Sequence, residues 1–176
     1  ILTLMQEEDI GEEEGVWRLR SISAGKIYPQ ARLICCFGRA QREEILRWGP
    51  DMIHSQCEFS TFLPARMLAK QLGIPLIHTY HTVYEDYTHY FSPSAAMGKK
   101  LVRAFTRKIA EQTQAVLAPT GKVARLLEDY GVTAPVYTVP TGLALNHLRT
   151  PVPQERIAGL RTMLGIQPGQ RVLLFL

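Results

Sequence analysis

From residue 40 onward, helix stops and strand signals alternate at the interval of one βα unit, and that punctuation leaves few folds open. Arg39 to Trp48 reads as a helix closed by Gly49-Pro50, Asp51 to His54 as a strand, Phe59 to Leu72 as a helix stopped at Gly73, and Ile74 to His78 as the next strand. The pattern repeats with a helix over Met97 to Gln112, a strand over Ala115 to Ala118 closed by Pro119, and a helix over Thr120 to Tyr130 with Gly131 just past its end. A strand over Val136 to Val139 then runs into Pro140-Thr141-Gly142, followed by a helix over Gln154 to Leu164 and a strand over Arg171 to Leu176. Elements of this length in this order predict parallel βαβ units with right-handed crossovers, an α/β fold on a Rossmann-like sheet. Upstream the signals weaken: Ile1 to Met5 is a first strand candidate, an acidic loop with Gly11 and Gly15 follows, and Val16 to Leu19 and Ala31 to Phe37 are extended candidates. A chain of 176 residues with 46% hydrophobic content supplies one α/β core and a little of a second.

Four successive strands end in polar or small residues: His54-Ser55-Gln56, Thr79-Tyr80-His81-Thr82, Pro119-Thr120 and Pro140-Thr141-Gly142. In an open parallel sheet these carboxyl ends share one edge, and ligands bind in the crevice outside it. Thr82, Thr120, Thr141 and Gly142 are therefore candidate cleft and hinge residues, although a hydroxyl in the position of Thr120 fits a helix cap equally well.

His54, His78, His81 and His89 raise the question of a metal. His78 and His81 are an odd number of residues apart along extended chain, face opposite sides of the sheet and cannot chelate together, so no metal site is expected. His78 fits a core histidine, whereas His81, beyond the last apolar residue of its strand, is placed to meet a ligand as donor, acceptor or general acid/base. Tyr80, Tyr84, Tyr87 and Tyr90 follow near-helical spacing in a run that extends to Phe91. That spacing fits core packing, and it also fits an aromatic wall for a sugar or a lipid glycerol, with Glu85 and Asp86 beside it to accept from hydroxyls. No Ser stands in a Gly-x-Ser-x-Gly turn, which argues against a Ser-His-Asp hydrolase.

The formal charge of +4 conceals a division. Glu7, Glu8, Asp9, Glu12, Glu13 and Glu14 crowd the start, so residues 15–176 hold 20 bases against 10 acids, a net +10. An anionic partner follows, either a phosphate-bearing substrate, an acidic membrane surface or nucleic acid. The last is disfavoured because the tyrosines precede the basic stretch instead of interleaving with it. That stretch places Lys99, Lys100, Arg103, Arg107 and Lys108 in ten residues without an acid. On a helical wheel they cover one half, while Leu101, Val102, Phe105 and Ile109 gather on the other. The pattern suits an ordinary surface helix, and it suits one whose basic face rests on anionic headgroups while its apolar stripe stays in the core. Three cysteines, two of them the adjacent Cys35 and Cys36, point to a reduced compartment and not to a disulfide framework. No apolar run reaches the roughly 18 residues that span a bilayer. Both ends read as cut, since there is no initiator Met and the last strand stops inside its own run.

Pro50-Asp51-Met52-Ile53-His54-Ser55-Gln56-Cys57-Glu58-Phe59-Ser60, Gly73-Ile74-Pro75-Leu76-Ile77-His78-Thr79-Tyr80-His81-Thr82 with Tyr84-Glu85-Asp86-Tyr87, Ala118-Pro119-Thr120 with Lys122-Val123, and Val139-Pro140-Thr141-Gly142-Leu143 closely resemble the N-terminal domain of glycosyltransferase family 4. The likeness is greatest to bacterial diacylglycerol glucosyltransferases. It implies the acceptor half of a GT-B architecture, with an N-terminal domain over 1–150 and a linker and the start of a donor-binding domain over 151–176. It also implies retaining, metal-independent hexosyl transfer from a UDP- or GDP-hexose, UDP-glucose first, with the nucleotide sugar as substrate and no cofactor.

His81 matches the family's active-site histidine, and His54, Glu58, Tyr84, Glu85 and Asp86 map to the acceptor side. A lipid such as diacylglycerol is the implied acceptor; a soluble sugar, or a non-catalytic binding module on the same sheet, stays open. The implied location is cytoplasmic, peripheral on the inner face of the membrane, with Lys99, Lys100, Arg103 and Arg107 toward the surface. Two departures stand out: Ala144 where the family has Asp, and the absence from these residues of the family's glycine-rich loop after its first strand and of its donor-binding acidic motif. Residues 1–176 alone are expected to be a poor catalyst.

Overall fold

In the computed structural model the described residues are 1–5, 13–25, 31–90, 92–143, 145 and 149–174. Most of the acidic loop, Phe91, Ala144 and the last two residues of the expected terminal strand lie outside them. The chain divides into two compact units, Ile1–Pro140 and Thr141–Leu176.

The first unit carries the sheet. Strands β1 (Leu2–Leu4) and β2 (Trp17–Leu19) pair in parallel, and β3 (Ser21–Ser23) and β4 (Arg32–Ile34) pair antiparallel. After helix α1 (Arg39–Trp48) come β5 (Ile53–Ser55), α2 (Phe62–Leu72), β6 (Leu76–Thr79), a 3₁₀ segment (Tyr84–Tyr90), α3 (Ala95–Ala110), β7 (Ala115–Ala118), α4 (Gly121–Asp129) and β8 (Val136–Thr138). The four later strands form one parallel sheet in the order β5-β6-β7-β8, as the alternation predicts. Gly49 and Gly73 end α1 and α2 at φ of 66° and 68°, each donating its N–H back to the helix, a left-handed stop that suits glycine.

Each helix joins neighbouring parallel strands in the same direction, so right-handed crossovers place α2, α3 and α4 on one face. The core confirms it. Leu76 is packed with Phe62, Ala65 and Ala69 of α2 and Ile109 of α3, while Val116 and Ala118 meet Ala110 of α3 and Leu127 of α4, with Tyr80. Strand alternation then points Ile77 and Leu117 to the opposite, half-buried face.

Several expectations shift. α2 begins at Phe62 and not at Phe59, because Pro64 has no N–H to donate and sits without cost only in a first turn. α3 begins at Ala95, two residues early, because the Ser94 hydroxyl accepts from the Met97 N–H and caps it. The apolar stripe of α3 also differs. Val102, Phe105 and Ile109 face the core with Gly98, Thr106 and Ala110, but Leu101 is exposed beside Met97 and Ala104. Leu101 lies at the margin of the apolar arc, and the small Gly98 and Ala110 bring the backbone closer to the sheet than large side chains would.

Gly98 is held there for a reason. A methyl placed on it would lie 2.7 Å from Thr88 Cβ and 2.9 Å from Thr88 Cγ2, so α3 and the 3₁₀ segment touch through a missing side chain. Overpacking against an atom fixed to the backbone costs about 1–3 kcal/mol, and here falls at the upper end, above the roughly 1 kcal/mol of helix propensity that alanine returns. Gly98→Ala is therefore expected to lower the thermal midpoint; an unchanged or raised midpoint would show that the 3₁₀ segment is not seated on α3 this closely.

In the second unit, α5 (Gln154–Met163) has no buried residue. Arg171–Leu174 form no strand, contrary to the expectation for Arg171 to Leu176: a strand is held by a neighbouring ladder, and no strand lies within this unit among the described residues.

Candidate functional site

The carboxyl ends of β5 and β6 and the turns that follow them gather the polar side chains. His54, in β5, points away from α2–α4, and its Nε2 lies 2.7 Å from Thr79 Oγ1 at the end of β6. Gln56, one residue past β5, has its Nε2 at 3.0 and 3.2 Å from the two ring nitrogens of His54 and its Oε1 at 2.6 Å from His81 Nε2. Thr79, His54, Gln56 and His81 thus form one hydrogen-bonded chain across the strand ends. His54, Gln56 and His81 are exposed to solvent. Partial burial, together with His78 and His81 nearby, holds the His54 pKa below its ordinary value, which keeps a ring nitrogen free to accept from the Gln56 amide.

His78 sits on the other face, buried, as its parity requires. Its Nε2 is 3.2 Å from Glu58 Oε1, and the Tyr84 hydroxyl donates to Glu58 Oε2 at 2.6 Å. Both side chains of the His78–Glu58 pair are at most 3% exposed. Burial, and then the Glu58 carboxylate, push the Tyr84 phenol far above its usual range, so it stays a donor. Glu58 and Tyr84, mapped by resemblance to the acceptor side, are here bound to each other. They tie the β5–α2 loop to the segment after His81.

Glu85 is likewise engaged: Arg103 Nε of α3 donates to its Oε1 at 3.0 Å and Lys99 Nζ lies 3.9 Å from Oε2. Arg103 also stacks 5.4 Å over the Tyr130 ring, whose phenol is pushed up chiefly by burial. Two of the four bases expected to face a surface therefore serve Glu85, while Lys100, Arg107 and Lys108 are exposed on the solvent side of α3, the side that also carries the exposed Met97 and Leu101. Asp86 is exposed. Tyr80 is buried in the core, with Tyr84 set edge-on at 6.0 Å, while Tyr87 and Tyr90 are exposed and stacked at 6.4 Å. The tyrosine run is thus divided between the core and the surface.

Thr120 caps α4 by accepting from the Val123 N–H at 3.2 Å. Thr82 is half-buried beside Tyr84. Thr141 and Gly142 belong to the second unit and are exposed there. Among the described residues no three His, Cys, Asp or Glu side chains are grouped as a metal would need, and no helix is long and apolar enough to cross a membrane.

Gln56 and Thr79 were missed as site residues in the sequence. Their signal is positional only: each stands at the end of a strand that also carries a histidine, and an uncharged amide or hydroxyl announces nothing until its partners are in place.

The sequence profile described as Glycosyltransferase Family 4 matches residues 1–147. The chain is 40% identical over 127 residues to the alpha-monoglucosyldiacylglycerol synthase of Streptococcus pneumoniae, covering 72% of this chain and 29% of that protein. It is 31% identical over 129 residues to the alpha-monoglucosyldiacylglycerol synthase of Acholeplasma laidlawii, covering 66% of this chain and 31% of the other. The chain spans less than a third of the length of either relative.

Proposed function

The chain belongs to glycosyltransferase family 4, and from that premise we propose that it is the acceptor-side domain of a retaining hexosyltransferase that moves glucose from UDP-glucose to diacylglycerol. The observation that carries the proposal is the exposed His54–Gln56–His81 cluster at the carboxyl edge of a parallel sheet, where such folds bind ligands. The relatives' names, which specify an α-linked monoglucosyl lipid, support the acceptor and the sugar. An α-linked product from an α-linked nucleotide sugar retains configuration. In the transfer the bond from sugar C1 to the diphosphate oxygen breaks, the acceptor oxygen bonds to C1, and the hydroxyl proton leaves with the diphosphate or to solvent.

His81 contacts the transferred sugar. His54 and Asp86, both exposed, are the carriers of acceptor contacts. We take the reaction to need no metal and no cofactor, on the family resemblance. Residues 151–176 are the linker and the beginning of the donor-binding domain, a reading supported by Ile157, Leu160, Met163 and Leu164, which α5 and the following turn leave exposed.

The membrane reading rests on α3, whose solvent side exposes Met97 and Leu101 together with the bases Lys100, Arg107 and Lys108. Each base near an anionic leaflet contributes about 1 kcal/mol, and the location that follows is peripheral, on the cytoplasmic face. Incubating the full-length protein with a panel of nucleotide sugars against diacylglycerol, a glycolipid and a soluble sugar, with product detected by mass, tests the function. A glucosyl-diacylglycerol product from UDP-glucose supports it, and transfer to the soluble sugar alone would refute the lipid assignment. In the same assay, changing Lys100, Arg107 and Lys108 to Gln is expected to lower turnover on anionic vesicles and to leave it unchanged in neutral detergent; equal turnover on vesicles would reduce α3 to scaffold.

A further inference from the structure

We propose that Gln56 is the positioning residue for His81: its amide reads the state of His54 on one side and holds the His81 ring by its Nε2–H on the other. The proposal rests on the reading of His81 as the group that meets the transferred sugar. His81 is exposed and lies beyond the last residue of β6, so neither sheet hydrogen bonds nor packing fix its ring. Among the described residues its one side-chain hydrogen bond is the 2.6 Å contact to Gln56 Oε1.

Gln56 is itself past the end of β5, yet its other end is anchored. Its Nε2 reaches the His54 ring, and His54 Nε2 reaches Thr79 on β6. The ring is thus tied back to both strands through three side chains.

An amide fixes direction as well as place. Its NH₂ only donates and its oxygen only accepts, so the end turned to His54 needs a bare ring nitrogen and the end turned to His81 needs an N–H. Unprotonated His54 meets the first condition. The second puts the hydrogen of His81 on Nε2 and leaves Nδ1 for the ligand. Glutamine supplies this without a charge. A carboxylate there would accept from His81 and meet the bare nitrogen of His54 with a lone pair, drawing protons onto both rings. The titratable groups facing the cluster are His54 from β5 and His81 and His78 from β6 and its end, with Glu58 and Tyr84 behind His78.

Two substitutions in the full-length protein test this. Gln56→Met keeps the length of the side chain and removes both polar atoms; it is expected to lower kcat about tenfold while the KM for UDP-glucose changes by less than about twofold, the pattern of a misplaced catalytic group. Gln56→Glu places a carboxylate against His81 and is expected to raise the His81 titration midpoint, followed by NMR of ¹⁵N-labelled histidine, by about one unit or more. A raised midpoint in a protein that shows no transferase activity upholds the contact and removes the reading of His81 as catalytic. An unchanged His81 midpoint in Gln56→Glu, or unchanged kcat in Gln56→Met in an active protein, overturns the proposal.

Discussion

His81→Ala in the full-length protein is expected to lower turnover by about 10²-fold or more, with the thermal midpoint within a degree or so of the parent. The two halves of that result have separate physical causes. A side chain that donates or accepts at the reacting group contributes about 10²–10⁴ to the rate, and truncation removes all of it. Stability, in contrast, depends on buried contacts, and His81 is exposed with, among the described residues, one side-chain hydrogen bond, to an exposed partner. Exposed positions of this kind change stability by about 0.5 kcal/mol or less. The pair of measurements separates a group in the site from a group that builds it: full turnover in a folded His81→Ala protein would take His81 out of the reaction.

Glu58→Ala is expected to do the reverse, destabilising the fold by about 3–5 kcal/mol. Glu58 is buried, and its two oxygens serve His78 and the Tyr84 hydroxyl separately. Removing one partner of a buried polar network leaves the others without water or protein to bond, and that loss, not the net value of the intact network, sets the cost. Chemical denaturation would register it as a lower midpoint at an unchanged slope. Glu58→Gln is expected to recover more than half of the loss, because an amide still accepts from Tyr84 and offers a donor toward the ring. If instead Glu58→Ala kept its stability and lost only affinity for the lipid, the carboxylate would belong to the cleft, as the family resemblance places it.

The contrast between these two residues shows what a sequence conveys. The β5–β8 sheet was legible because each helix announces its end, as at Gly49 and Gly73, and each strand is an apolar run bounded by turn residues. His81 was legible because it stands beyond such a run. Glu58 was named only through the resemblance, on the acceptor side, and nothing in the order His54-Ser55-Gln56-Cys57-Glu58 says that an acid three residues past a strand is buried. Its burial is decided by His78, twenty positions away, and by Tyr84, twenty-six away.

Glu85 and Asp86 look alike in sequence, yet among the described residues it is Glu85 that pairs with Arg103 and Lys99 while Asp86 is exposed, because the 3₁₀ turn aims the two side chains apart. β3 went unseen because Ser21–Ser23 is three residues long with one apolar side chain, Ile22, and is held by pairing with β4. The basic face of α3 was legible as a wheel, but which bases remain unpaired depended on where Glu85 would land.

The account's central claim is that the acceptor meets this chain at the carboxyl edge of β5 and β6. Photolysis of the full-length protein with a diazirine-bearing diacylglycerol, followed by peptide mapping, tests it most directly. The expected label falls on residues 54–58 and 81–90 and is reduced by an excess of unmodified diacylglycerol. Competed label confined to the opposite edge, in the groove between Arg66, Lys70, Gly73 and Gln112, would contradict the claim.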